Sequence, residues 1–436
     1  PILIYMKELP IENMPGKGNR KRVVVIGGGF AGLNAVKGLD KRLFQIVLID
    51  RHNYHQFQPL YYQVATSGLE PSSIGFAFRK TLRKMGEIHF RMCTALSVDT
   101  NVNRLETSIG YIDYDYLIIA SGTYTNYMGN KDLEHCTMSL KTLPESINVR
   151  NNVLRSFEKA INSHSEAEAE SLLSFVIVGG GPTGVELAGA LSELRRYTLP
   201  KDYNQDKSLS QMKIYLLDTA PRLLGGMSEF SSKKAYKYLQ EMGVEIMLNT
   251  MVKGYTDGKI ELNDGRSIAS CNVFWVAGVA GRIFPGLDND VYGRNNRIKV
   301  DGCNRVENSS NLFAIGDVCL MTSDPAYPHG HPQVAQAAIQ QGKNLVHNLN
   351  KGDQKPFRYT DRGSMATVGR NKAVVEFRKI HFGGFVAWIL WLFVHLMAIV
   401  GVKNKTFVLL NWGWSYFTHD TSLRLLIRMD NKNADK

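Results

Sequence analysis

The chain is poor in the residues that make cross-links and metal sites. It has five cysteines in 436 residues, Cys93, Cys136, Cys271, Cys303 and Cys319. The number is odd and no two stand at CxxC or CxxxxC spacing, so a disulfide framework, a zinc ribbon and a dithiol redox centre lack support. Reduced thiols are the simplest reading. His52 with His55, and His329 with His331, bring no HExxH or Cys/His ligand set, so no metal site is expected. A GxxxxGK[ST] loop is also missing, which removes the P-loop ATPases. Pro1–Met6 is too short for the apolar core of a signal peptide, and the basic residues Lys17, Arg20, Lys21 and Arg22 follow it rather than precede it. Pro1 stands first, so either Met6 or Met14 is the native start or an initiator has been removed.

What is present is a large core. Apolar residues make up 44% and charged residues 21%, which excludes general disorder. The length points to two or three domains. Lys+Arg exceed Asp+Glu by 52 − 40 = 12. That excess implies an anionic partner. The run Lys17–Arg22 has no aromatic platform beside it, so nucleic acid is not expected.

An internal repeat organises the chain. Residues 23–39 read VVVIGGGFAGLNAVKGL and residues 175–191 read FVIVGGGPTGVELAGAL, with six of 17 positions identical. Each copy is a β-branched run, a glycine turn and a helical pattern, which opens a βαβ unit. In the first, Gly27 permits the tight turn, Gly29 lets the backbone approach a pyrophosphate, and Gly32 lets the helix pack on the strand. Asp50 ends the next strand, placed to accept ribose hydroxyls. In the second, Gly179, Gly181 and Gly184 repeat the pattern and Asp218 ends the strand IYLLD. The polar insertion around Arg195–Gln211 lengthens that gap. Thr219 rather than a basic residue follows Asp218, which favours NADH over NADPH, although Arg222 lies nearby. Glu186 replaces Asn34 of the first copy. It is read either as a helix-dipole partner two residues into the helix or as a carboxylate facing the nicotinamide. Asp264–Gly265 marks a hairpin between two short strands.

The tail is aromatic. Trp388, Trp391, Trp412 and Trp414 lie in the last 49 residues, and Phe382–Val402 is a 21-residue apolar run broken only by His395. As one helix it would be about 31 Å long, near the roughly 30 Å of a bilayer core. Gly383, Gly384 and Gly401 punctuate it, and Trp388, Trp391 and His395 share one stripe. Leu423–Met429 reads as an interfacial amphipathic helix with Arg424 and Arg428 on one face.

Two dinucleotide folds joined with Tyr116–Thr123 (YLIIASGT) and Asn311–Asp317 (NLFAIGD) resemble the two-dinucleotide-binding flavoproteins of glutathione-reductase type. His52–Ala65 (HNYHQFQPLYYQVA), Pro332–Gln340 (PQVAQAAIQ), Gly363–Val374 (GSMATVGRNKAV) and the tail resemble, more narrowly, type II NADH:quinone oxidoreductases, which do not pump protons. The resemblance runs from about Lys21 to Arg428. It implies an α/β protein with two Rossmann-like domains and a membrane-binding helical unit. FAD would lie in the first fold, contacted by Ala120, Ser121, Gly122, Gly316 and Asp317, with Pro59, Leu60 and Tyr61 near its ring. NADH would lie in the second, with Glu186 at the nicotinamide. Gln336 and Gln340, one turn apart within AQxAxQ, would orient the quinone, and Lys372 would approach that side.

The expected organisation is an FAD domain over 20–145 and 281–360, an NADH domain over 146–280, and a membrane-anchoring region over 361–436. The expected partners are NADH, a menaquinone or ubiquinone, an anionic membrane surface and a second copy in a homodimer. The expected place is the cytoplasmic face of a cell inner membrane, in monotopic attachment. Two other readings use the same fold. One is a sulfide:quinone oxidoreductase working through Cys303 and Cys319, and the other is a slowly turning NADH sensor.

Overall fold

The computed structural model describes residues 9–204, 209, 211–420 and 423–426. The chain forms two compact units. One comprises residues 1–56, 76–124 and 279–362, and the other 57–75, 125–278 and 363–436. The units change at 124/125 rather than the expected 145/146, since strand Met138–Ser139 already pairs in the second unit's sheet, and at 278/279, two residues before the expected 280/281; residues 57–75 also fall in the second unit. The tail does not stand apart as a body of its own. Residues 363–436 belong to the same compact unit as the second dinucleotide fold.

The first unit is built on a five-stranded parallel sheet. Its spatial order is Leu312–Ala314, Tyr116–Ile119, Lys21–Ile26, Phe44–Asp50, Ile88–Met92. Strand Lys21–Ile26 lies in the centre, and Val23, Val24 and Val25 are fully buried. Such a strand reads as a continuous apolar run because both faces are covered. Helix Phe30–Gly38 covers one face, and helix Ala335–Lys351 packs on it closely enough that a Cβ on Gly342 would sit 2.8 Å from the Ala31 carbonyl oxygen.

The second unit repeats the plan. Its parallel sheet runs Met138–Ser139, Asn272–Trp275, Ser174–Val178, Lys213–Leu217, Glu245–Met247. Every residue of Ser174–Val178 is buried. Strands Lys259–Leu262 and Ser267–Ala269 pair antiparallel across Asp264–Gly265, as the hairpin signal predicted. A three-stranded antiparallel sheet, Ser364–Thr367, Ala373–Phe377 and Ile380–Gly383, leads into the tail.

The apolar run is not one helix. Gly384 at φ +94° and Gly401 at φ +85° adopt backbone that other residues resist, and they bound helix Phe385–Ala398 and open helix Val402–Thr418. Fourteen residues give about 21 Å, too short for a bilayer core. Among the described residues no helix is long and apolar enough to cross a membrane. The expected helix over Leu423–Met429 is absent where it can be seen, because 423–426 are irregular. Arg424 is drawn instead to Asp420 at 2.9 Å and to Asp202. Residues 427–429, like Pro1–Met6, lie outside the described residues.

One close approach holds the second unit together. A Cβ on Gly189, in helix Pro182–Glu193, would stand 2.6 Å from the Gly369 backbone nitrogen. Gly189→Val is expected to push the helix off the 368–370 turn and to cost roughly 1–3 kcal/mol. Chemical denaturation measures this, and a variant as stable as the parent would show that the approach is not tight in solution.

Candidate functional site

The first glycine loop leaves an open cradle at the start of its helix. Gly27 has φ +96°, and a Cβ there would strike the Ala120 carbonyl, so this turn admits glycine alone. A Cβ on Gly32 would strike the Gly27 carbonyl oxygen. Gly29 has nothing within 4 Å on its Cβ side, which leaves the approach that a pyrophosphate needs. Gly122 has φ +66° and is likewise open, and the hydroxyls of Ser121 and Thr123 beside it are buried with no hydrogen-bond partner among the described residues. Orphaned buried hydroxyls imply a missing partner, so this donor set fits FAD. Asp50 accepts from the Gly28 N–H at 2.7 Å and the His52 N–H at 2.8 Å. Burial raises its carboxyl above the usual range. Gly316 at φ +78° is held by its N–H donating to Gln341 Oε1 at 2.7 Å, and the Asp317 carbonyl accepts from Gln333 at 3.0 Å. Gln341 and Gln333 were not among the expected residues. They flank the pair that was, in a segment, residues 333–341, where seven of nine residues are glutamine or alanine.

The second loop mirrors the first. Asp218 accepts from the Gly180 N–H and, at 2.7 Å, from the Ala220 N–H. Gly181 is open on its Cβ side, while a Cβ on Gly179 would stand 2.8 Å from the Ala277 nitrogen and one on Gly184 would strike the Gly179 carbonyl oxygen. Arg222, which left the choice of nucleotide open, is committed to its own loop. Its guanidinium donates to the carbonyls of Met227 at 2.7 Å and Gly225 at 2.8 Å.

Glu186 lies deeper than a helix-dipole partner would. The helix starts at Pro182, so Glu186 is its fifth residue, past the first turn. It shares a cleft with Pro59, Tyr61, Tyr62 and Thr183. Pro59 and Tyr61 are therefore brought to it, whereas Leu60 is fully buried behind them. Burial pushes the Glu186 carboxyl up to about 8, against the downward pull of the Thr367 backbone N–H and the Trp391 indole.

Two turns further along the same helix, Glu193 opens onto a second cleft. Its walls include Tyr62, Gln63, Arg370, Trp388, Trp391 and Trp412. Trp391 is 1% exposed and stacks on His395, with ring centroids 4.0 Å apart. Burial lowers the His395 imidazole to about 4, so it stays neutral. Burial also raises the Glu193 carboxyl, offset by Arg370 through its charge and its backbone N–H. The Arg370 guanidinium reaches back to the Tyr416 carbonyl at 3.0 Å and Ser415 Oγ at 3.3 Å. The result is a flat-walled aromatic slot with a few polar atoms, suited to a planar, uncharged ring. Its residues come from five separate stretches of chain, and only the tryptophans hinted at it.

Gln336 and Gln340 are placed otherwise than a free amide pair. With Asn344 and Asn348 they form a ladder along one face of helix Ala335–Lys351. Gln336 Oε1 accepts from the Arg362 N–H at 3.0 Å. Gln340 accepts from the Thr360 N–H at 3.0 Å and donates to its carbonyl at 2.9 Å. Asn344 and Asn348 each donate to the Lys355 carbonyl at 3.0 Å. The ladder zips residues 355–362 onto the helix. Lys372 lines neither cleft and pairs with Glu241 at 2.7 Å.

A pyridine nucleotide-disulphide oxidoreductase family model matches residues 21–342, and an NDH2 C-terminal domain model matches 362–419. The type II NADH:quinone oxidoreductase NdhA of Mycobacterium tuberculosis is 36% identical over 92% of this chain and 88% of its own length. A second protein of that organism, type II NADH:quinone oxidoreductase Ndh, is 35% identical over 92% and 89%. The chain belongs to the type II NADH:quinone oxidoreductase family. Its fold is shared by NDH2 from Plasmodium falciparum in a structure with NADH, at TM-score 0.85 and 17% identity, covering 94% of this chain and all of that one. Sulfide:quinone oxidoreductase from Aquifex aeolicus is more distant, at TM-score 0.66 and 21% identity, over 88% and 92%. That alternative invokes Cys303 and Cys319, and both thiols are shifted away from the reactive thiolate. Cys319 is fully buried and its thiol is pushed up to about 12, and burial raises Cys303 as well.

Glu186 makes stability depend on pH. Its folded carboxyl binds a proton more tightly than the unfolded one, from the ordinary 4.5 to about 8. The stabilisation is complete below about pH 4.5 and is lost as pH rises toward 8, at ~1.4 kcal/mol per unit. Glu186→Gln removes this slope. Denaturant titrations at pH 5, 6.5 and 8 test it, and equal slopes in parent and variant would count against the buried, protonated acid.

Proposed function

We propose that this chain carries two electrons from NADH to a membrane quinone in two half-reactions, with the quinone received in the aromatic cleft of the second unit. A bound FAD supplies the two-electron chemistry that links the half-reactions. The loop Gly27, Gly29, Gly32 with Asp50, Ser121 and Thr123 would hold it. Asp218 and the loop Gly179, Gly181, Gly184 would hold NADH. Glu186, keeping its proton near neutrality, would donate a hydrogen bond to the nicotinamide carboxamide while the Pro59–Tyr61 segment limits access of water.

The cleft carries the quinone assignment. It offers the rings of Trp388, Trp391 and Trp412 for a planar ligand and the Tyr62 hydroxyl for a carbonyl oxygen, and the tail helices that wall it turn apolar side chains outward. Phe393 is 60% exposed, Leu410 62% and Phe417 82%. A surface of that kind on two helices too short to span fits attachment to one leaflet. Lys403 and Lys405 beside Gly401, and Arg378 with Lys379 before the first tail helix, would meet anionic headgroups, each contributing on the order of 1 kcal/mol. Attachment on the cytoplasmic face follows from the supply of NADH. Gln336 and Gln340 are assigned to holding the 360–362 segment rather than to the quinone.

Leu392 also lines the cleft, and Leu392→Trp narrows it. In stopped flow it is expected to slow reoxidation of the NADH-reduced enzyme by quinone by about tenfold or more and reduction by NADH by less than about twofold. Equal slowing of both, or of neither, would sink the cleft assignment. Phe393→Glu combined with Leu410→Glu is expected to lower sedimentation with phosphatidylglycerol vesicles. Undiminished sedimentation would place the attachment elsewhere.

A further inference from the structure

Tyr62 lines both the Glu186 cleft and the aromatic cleft, and the hydrogen bonds around it have a fixed direction. An indole N–H can only donate. That of Trp412 donates to Gln63 Oε1 at 2.8 Å. The oxygen of the Gln63 amide is thereby engaged, so its Nε2 is the atom turned to Tyr62, and it donates to the phenol oxygen at 2.8 Å. The phenol is an acceptor toward this neighbour, and its own hydrogen is left over. Among the described residues no group accepts that hydrogen, although the side chain is only 6% exposed. A buried O–H with no acceptor is costly, and a ligand oxygen in the cleft relieves the cost.

We propose that Tyr62 donates the hydrogen bond that holds a quinone carbonyl oxygen in the aromatic cleft, and that Gln63 and Trp412 are positioning residues that aim its hydroxyl. This rests on the reading of that cleft as the quinone site. A quinone oxygen gains negative charge as electrons arrive, so a donor aimed at it strengthens its hold during the reaction. Tyr62 keeps its hydrogen throughout. Burial, the Glu186 carboxyl and the Glu193 carboxyl all raise the phenol well above its ordinary range, only partly offset by Gln63. Arg370, Tyr197, Tyr416 and His419 are the other titratable groups lining this cleft, with the neutral His395 stacked on Trp391, and none of them accepts that hydrogen. Tyr62 is thus a hydrogen-bond donor, and the protons of the quinol come from elsewhere.

The test uses the FAD-loaded full chain and three variants, Tyr62→Phe, Trp412→Phe and the double substitution. Trp412→Phe keeps an aromatic ring, though a smaller one, and removes the N–H, freeing the Gln63 amide to turn its oxygen to the phenol and draw the hydroxyl away from the cleft. Two readouts are taken: the Kd of a non-reducible quinone analogue by calorimetry, and the quinone half-reaction in stopped flow. Each single variant is expected to weaken analogue binding and slow the quinone step by about five- to tenfold. The double variant is expected to lose no more than Tyr62→Phe alone. Losses that multiply would overturn the aiming role of Trp412. A Tyr62→Phe enzyme equal to the parent, while Leu392→Trp blocks quinone, would overturn the role of Tyr62 and leave the cleft assignment standing. If neither Tyr62→Phe nor Leu392→Trp affects quinone, the cleft reading itself fails. Gln63→Leu guards against a folding artefact, since it removes the amide without touching either ring and is expected to match Trp412→Phe.

Discussion

The close packing of helix Pro182–Glu193 against the 367–370 turn is the contact on which the second unit's chemistry depends. The helix starts at the second nucleotide loop. Its glycine at 189 lets the backbone of Gly369 come within a distance that any side chain would forbid. Glu186 and Glu193 lie seven residues apart, on the same side of the helix, and each opens onto a different cleft. Both carboxyls are deprived of water by this packing, and both are shifted toward the protonated form. A close backbone approach between two glycines thus lies beside both buried carboxyls.

Repetition and divergence meet in the two glycine loops. Each strand-ending acid bonds the middle N–H of its own glycine triplet, Asp50 to Gly28 and Asp218 to Gly180. Each turn is closed by a glycine whose Cβ would meet backbone. The loops thus share their local geometry and differ in what surrounds them. The first has orphaned hydroxyls at Ser121 and Thr123, and the second has a buried acid one turn into its helix. On the function proposed above, discrimination between the two nucleotides would fall to these outer residues.

The glycine loops were legible because their meaning is local. A strand, a turn and a helix lie in consecutive residues, and hard-sphere limits make glycine compulsory at fixed places. The break of the apolar tail was legible too, since Gly384 and Gly401 stand where the backbone turns. The aromatic cleft was not. Tyr62, Glu193, Arg370, Trp391 and Trp412 become neighbours only through tertiary packing, and no spacing in the sequence encodes that. Gln336 and Gln340 show a third case. Their shared helix face was correctly read, but an amide pattern does not name its partner, and here the partner is backbone of the chain itself. The tail after Thr418 differs for a related reason: Arg424 finds Asp202 and Asp420, and two carboxylates outweigh a helical pattern of leucines.

The four amides that fasten residues 355–362 carry no charge. Their bonds to backbone present no charge to titrate or screen, whereas basic residues such as Lys403 and Lys405 would meet headgroups through fields that ions damp within about 10 Å at 0.1 M. The two fastenings of this chain therefore answer to different conditions. In the attachment proposed above, a brine wash would weaken the basic contacts with lipid headgroups and leave both the apolar face and the zipped segment as they are, so the strap would not have to reseat.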